Sequence, residues 1–243
     1  RMLFLTLHFR AICNFLKDTS VKKIIIVLVI VISGLVPARV NSQAQYADSL
    51  RHIISALPDN LEKVENLISL ARYYSNINFD TLKARGQQAY DLAKRLDNRR
   101  SLAEAAILLG FYYKLRNNFE EALHYYNIAL HLGDSLEFTL VVAKSSLNIS
   151  GVLLETADYD ESRGYSLKSL ASYSQLNDTS GIIASYNNLG MTYMYKGEYD
   201  SAAYFFDQGI QICEKTVKKL YLSNLYFNLR DVYNELGELE QAK

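Results

Sequence analysis

Proline is nearly absent. Pro37 and Pro58 are the two in 243 residues, and none follows Pro58. A β sandwich needs frequent Gly and Pro punctuation, so this long stretch without proline suits stacked helices instead. Cysteine is as scarce: Cys13 and Cys213 alone exclude a disulfide framework and give no clustered metal-ligand spacing. Neither charge prevails, with 26 basic and 26 acidic residues, which removes the electrostatic argument for nucleic acid or an anionic surface. What is abundant is apolar residue, 49% of the chain, enough for a sizeable core and against disorder.

The first forty-four residues read as an N-terminal extension plus an export signal. Lys22 and Lys23 precede an apolar run from Ile24 to Val36, followed by a short polar region with small residues. That run is shorter than the ~20 residues a spanning helix needs and fits a secretory signal core. Ser42 and Ala44 are the candidate cleavage positions, and an uncleaved anchor is the competing reading. No cysteine follows the run, so a lipoprotein anchor is not expected. Arg1 opens the chain where methionine would stand, and Val21 is the expected true start. Localisation is therefore expected to be exported, periplasmic or membrane-associated.

A repeat governs the remainder. Phe79-Asp80, Phe119-Glu120, Tyr159-Asp160 and Tyr199-Asp200 recur every 40 residues, and Leu239-Glu240 extends the series. Small residues keep step three positions later at Ala122, Ser162, Ala202 and Ala242, and ten positions later at Ala89, Ala129, Ser169 and Gly209. Gly110, Ser150, Gly190 and Arg230 form another column, with Tyr113, Leu153, Tyr193 and Tyr233 three beyond it. Ala71 and Tyr74 take these slots in the first unit, one residue out of step. Positions at i, i+3, i+4 and i+7 are the stripe of an amphipathic helix. Tyr186, Leu189, Gly190 and Tyr193 should line a first helix and Ala202, Phe206 and Gly209 a second, with Lys196-Gly197-Glu198 as the turn. Gly190 is expected to allow close packing.

"YNNLGMTY" at 186–193 with "AAYFF" at 202–206, and "AILLGFYY" at 106–113 with "ALHYY" at 122–126, resemble the tetratricopeptide repeat family. "SLNISGVL" at 146–153 and "YFNLRDVY" at 226–233 are weaker copies. The family's terminal proline is missing and the period is 40 instead of 34, as in the long-repeat variants typified by kinesin light chains. The resemblance covers roughly residues 60–243. It implies an all-α fold: an α-solenoid of antiparallel helix hairpins wound into a right-handed superhelix. Residues 45–58 read as an N-terminal capping helix and 59–243 as about four and a half repeats, truncated at the C-terminus.

Catalytic chemistry is not in evidence. His124 and His131 lie ~10 Å apart along one helix, too far for one metal, and are expected at the surface. Cys213 is expected to be an inert, half-buried thiol. Asp158, Asp160 and Glu161 lack calcium-loop spacing and should favour a helix start. No phosphate loop appears, and most of the nineteen tyrosines fall in packing slots. No cofactor, no metal and no catalytic residue is expected, and the segment is read as not an enzyme.

One polar column stands out. Asn148, Asn188 and Asn228 recur at the repeat spacing within helices, where Asn competes with its own backbone. The family resemblance implies that these line a concave surface and hold a peptide backbone, since an amide both donates and accepts. The alternative is that they bond between neighbouring helices and shape the superhelix. Phe111, Lys114, Leu147, Glu155, Asn187, Met191, Met194, Phe227 and Asp231 should share that surface. The family's carboxylate clamp is not reproduced: Ile107, Phe111, Ala184 and Asn188 occupy its positions. The resemblance implies a non-catalytic scaffold binding a protein or extended peptide. Its rivals are the extracytoplasmic sensor half of a membrane regulator, with a kinase or DNA-binding output beyond Lys243, and a periplasmic assembly scaffold. Nucleic acid is not expected as a partner of this segment; membrane attachment through either end is.

Overall fold

The computed structural model describes residues 45–216 and 221–237. The expected export signal and the stretch from residue 238 onward lie outside them. Residues 45–56 form a helix that ends before Pro58, with Arg51 paired to Asp48 one turn away. The capping role expected of 45–58 remains a proposal. Nine helices follow among the described residues: α1 (Leu61–Tyr74), α2 (Phe79–Arg95), α3 (Arg99–Leu115), α4 (Phe119–Ser135), α5 (Thr139–Glu155), α6 (Tyr159–Gln175), α7 (Thr179–Tyr195), α8 (Tyr199–Lys215) and α9 (Leu222–Glu235). No strand occurs among the described residues.

The 40-residue period resolves into two equal halves. Helices α2 to α8 each have 17 residues, and each begins twenty positions after the last. The three-residue turns share one closure. Asn98 N–H donates to Ala93 O at 2.9 Å and Asp97 N–H to Lys94 O at 3.2 Å; the same pair recurs every twenty residues, ending with Glu198 to Tyr193 and Gly197 to Met194. This Schellman arrangement needs a left-handed residue just past the helix end. Gly197 (φ 76°) adopts it freely, whereas Ala157 (φ 64°) does so at a cost of about 1 kcal/mol. The residue closing one helix also caps the next: the side chains of Asn98 and Asn118 accept from Ser101 N–H and Glu121 N–H. That double duty keeps the turns short. Between α1 and α2 the turn spans residues 75–78, one longer, which accounts for the first unit being out of step.

Each helix packs against the next, and α1, α3, α5, α7 and α9 also touch along the stack. Even-numbered helices make at most marginal contact with one another. Helices inside a curved stack converge and those outside splay, so the odd helices form the concave side.

The glycine column does something more specific than let backbones approach. A Cβ on Gly190 would lie 2.5 Å from the Phe206 ring, and one on Gly110 2.6 Å from the Tyr126 ring. Each glycine seats the buried aromatic of its partner helix. The third unit uses another solution. Ser150 stands for the glycine and Ser166 for the aromatic, both fully buried. Hydroxyls bridge the space around them: Ser162 donates to Ser150 O at 3.0 Å and lies 3.2 Å from Thr192 Oγ1, while Ser169 and Ser185 meet at 2.8 Å. The hydroxyls of Ser145, Ser146 and Ser166 have no hydrogen-bond partner among the described residues.

Helix α6 is intrinsically weak, with five serines and Gly164 in its sequence. A Cβ on Gly164 would meet nothing within 4 Å. Gly164→Ala should therefore raise stability by about 0.5–1 kcal/mol, read as a higher urea midpoint with an unchanged slope.

Candidate peptide-binding groove

The predicted surface residues all lie on α3, α5, α7 and α9, four of the five concave helices. Asn148, Asn188 and Asn228 are half-buried and recur one per helix on α5, α7 and α9. Each amide already has at least one N–H engaged. Asn188 Nδ2 donates to Ser150 Oγ at 2.7 Å and Leu147 O at 3.3 Å, tying α7 to α5. Asn228 Nδ2 donates to Asn187 Oδ1 at 2.9 Å, tying α9 to α7. Asn148 Nδ2 donates within its own helix to Lys144 O at 2.9 Å. Two of the three thus bond between neighbouring helices, the alternative role that the sequence left open. Their Oδ1 atoms accept nothing among the described residues. Asn188 spends both its N–H groups, while Asn148 and Asn228 each commit one, so the column offers a ligand mainly acceptors, with a second N–H left on two of the three.

The other residues are not equivalent. Met191 and Met194 pack partly against the core of the fourth unit, and Asn187 Nδ2 approaches Met191 Sδ at 3.4 Å. Phe227 is 55% exposed with the Arg230 guanidinium 4.2 Å from its ring centre, and Asp231 accepts from Arg230 at 2.8 Å. Phe111 is half-buried, Leu147 half-buried and Glu155 exposed. Lys114 is half-buried, and that burial pulls its ammonium below the ordinary lysine value, with Glu155 acting in the opposite direction.

A region that sequence reasoning missed lies toward the start of the stack. Arg72, Glu104, Ile107, Leu108, Phe138, Leu140, Val141 and Lys144 surround a cleft of ≈ 340 Å³ between α1, α3 and α5. Glu104 pairs with Arg72 at 3.4 Å, and burial, then Arg72, lower the Lys144 value. Glu104 and Lys144 share one repeat register but carry opposite charge, and Arg72 stands outside that column, so only the stacking reveals the cluster. Outside the groove, His124 and His131 are exposed as expected. Asp160 and Glu161 sit in the first turn of α6, and Asp160 also receives Lys196 at 2.8 Å. Cys213 is fully buried, not half-buried as expected, because it sits within the core shared by α7, α8 and α9; burial pushes its thiol value up. Among the described residues no group of three His, Cys, Asp or Glu is placed to hold a metal, and no helix is long and apolar enough to cross a membrane.

Residues 141–215, which span α5 to α8, match the tetratricopeptide repeat family. Over that stretch the helix pairs are tetratricopeptide repeats. Solved structures agree on the fold. BtubC (BKLC) from P. vanneervenii superposes with a TM-score of 0.69 at 20% identity, over 85% of this chain and 86% of that one. A Rap protein complexed with competence and sporulation factor gives 0.66 at 19% identity, over 86% and 70%. A signal transduction ATPase with numerous domains from Pyrococcus horikoshii, which carries a tetratricopeptide repeat sensor, gives 0.69 at 14%, over 96% of this chain and 36% of that one. Comparison with curated protein sequences returns no match. At these identities the likeness concerns the fold.

Proposed function

We propose that this tetratricopeptide solenoid is a non-catalytic scaffold that holds an extended protein segment along its concave side. The observation that carries the reading is the asparagine column. Three half-buried amides at one register keep an acceptor oxygen uncommitted among the described residues, along three successive concave helices. An extended backbone presents N–H groups to such a row whatever its side chains, the way main-chain contacts supply affinity in other peptide-recognition modes. The structural relative complexed with competence and sporulation factor shows that a solenoid of this kind accommodates a ligand.

Individual substitutions separate holding from bridging. Asn148→Ala removes an amide bonded only to its own helix, so melting should stay within about 0.5 kcal/mol of the parent. Capture of peptides from a random library should fall markedly. Asn188→Ala breaks two bonds to α5 and should cost about 1–2 kcal/mol by thermal and urea unfolding. Undiminished capture by Asn148→Ala would sink the peptide-holding role for this column.

A second reading concerns where the repeats work. We propose export, supported by Lys22-Lys23 ahead of the apolar run from Ile24 to Val36, with service either as the sensor half of a membrane regulator or as an assembly scaffold. The Pyrococcus relative, whose repeats are described as a sensor, favours the former. An alkaline phosphatase fusion to the full chain tests it: an inactive fusion in a cell that exports the enzyme normally would exclude export.

A further inference from the structure

Gly151 is a glycine with no ring to seat. It falls one residue after the packing column, at the register of Phe111 on α3 and Met191 on α7. At this one place the concave wall has no side chain between a phenyl ring and a thioether. A Cβ there would lie 2.8 Å from Lys114 Nζ and 3.8 Å from Asn188 Nδ2. The missing side chain of α5 is thus replaced by an ammonium reaching across from α3, with an amide nitrogen of α7 on the far side.

Lys114 has no hydrogen bond and no ion pair among the described residues, although it is half-buried. Arg72 is matched by Glu104 and Arg230 by Asp231, whereas Lys144 of the neighbouring cleft is likewise half-buried without an ion-pair contact among the described residues. Glu155, one turn beyond Gly151 on α5, acts on Lys114 through space without an ion-pair contact. A half-buried ammonium is costly to leave without an acceptor, and removing water further on ligand binding raises that cost unless an anion arrives. The Asn188 amide nitrogen near the notch is a donor only, with both protons spent on α5, so it offers the lysine no acceptor.

We infer that the notch above Gly151 is the subsite for an acidic side chain of the bound segment, with Lys114 as its cation and Phe111 and Met191 as its apolar walls. The inference rests on the groove reading above. A side chain is favoured over a chain terminus because the notch lies at the middle of the stack. The concave helices continue to α1 on one side and α9 on the other, so an extended segment runs through it.

The test uses the immobilised full chain and a random twelve-residue display library in which the peptide C-terminus is fused, so that no terminal carboxylate is available. Selected sequences should carry Asp or Glu at one fixed register. Resynthesised peptide with Asn or Gln there should bind about tenfold more weakly. Lys114→Met and Gly151→Ala, which fills the notch, should each lose that preference while keeping the other selected positions; unchanged thermal melting shows that the fold is kept. Selected peptides without an acidic position, or an acidic preference undisturbed by Lys114→Met, overturn the inference and leave the groove reading standing. Binding by free synthetic peptides that vanishes on C-terminal amidation also overturns it, in favour of terminal capture. If no peptide binds in either format, the groove reading fails together with it.

Discussion

Phe206→Ala should cost about 3–5 kcal/mol, because the ring is fully buried and fills the seat left by Gly190. It belongs to the core that joins α7, α8 and α9, with Ile183, Ile210, Leu225 and Val232 around it. Removing it leaves a void bounded by a helix with no side chain at residue 190, so little can collapse inward. The loss should appear as a lowered urea midpoint and melting temperature. Because each repeat is stabilised mainly through its neighbours, amide exchange should accelerate most in α7 to α9 and least in α1 to α3. A loss below about 1 kcal/mol would show that the ring is not the keystone of its unit.

The third unit offers a sharper test. There Ser150 and Ser166 replace the glycine and the aromatic found at Gly110–Tyr126 and Gly190–Phe206. If the pairs are alternative solutions to one packing problem, converting one member alone must fail. Ser166→Phe drives a ring against the Ser150 side chain and should cost about 1–3 kcal/mol. Ser150→Gly removes the hydroxyl that accepts from Asn188 and adds a glycine within a helix, for a loss of about 1–2 kcal/mol. The double variant should be more stable than the sum of the singles by about 1–3 kcal/mol, a coupling measured by a double-mutant cycle in urea. Additive losses would show that the serines hold their own arrangement, independent of the ring-and-glycine geometry. The three unpartnered hydroxyls of Ser145, Ser146 and Ser166 already place this unit at a disadvantage to its neighbours.

Much of this architecture was legible in the chain itself. The recurring aromatic-acidic pairs marked helix starts because an aromatic packs there and an acidic residue complements the helix dipole in the first turn. The small-residue columns marked buried contacts, since Ala122, Ser162, Ala202, Ala89, Ala129 and Ser169 are all fully buried. The twenty-residue half-period was also present, in Asn98, Asn118, Asp158 and Asp178. A residue at a helix start shares no hydrophobic period with the helix it begins, so the hydrophobic pattern does not reveal it.

The sequence by itself determined the helical class, the 40-residue repeat and which positions face the partner helix, because those depend on spacing within one helix or hairpin. Only the tertiary structure decided what the polar residues do. Whether Asn188 is free depends on Ser150 and Leu147 of another unit, and the surroundings of Lys114 depend on Gly151 and Asn188 of two others. Such contacts are set by how successive hairpins stack, a register that no single helix encodes.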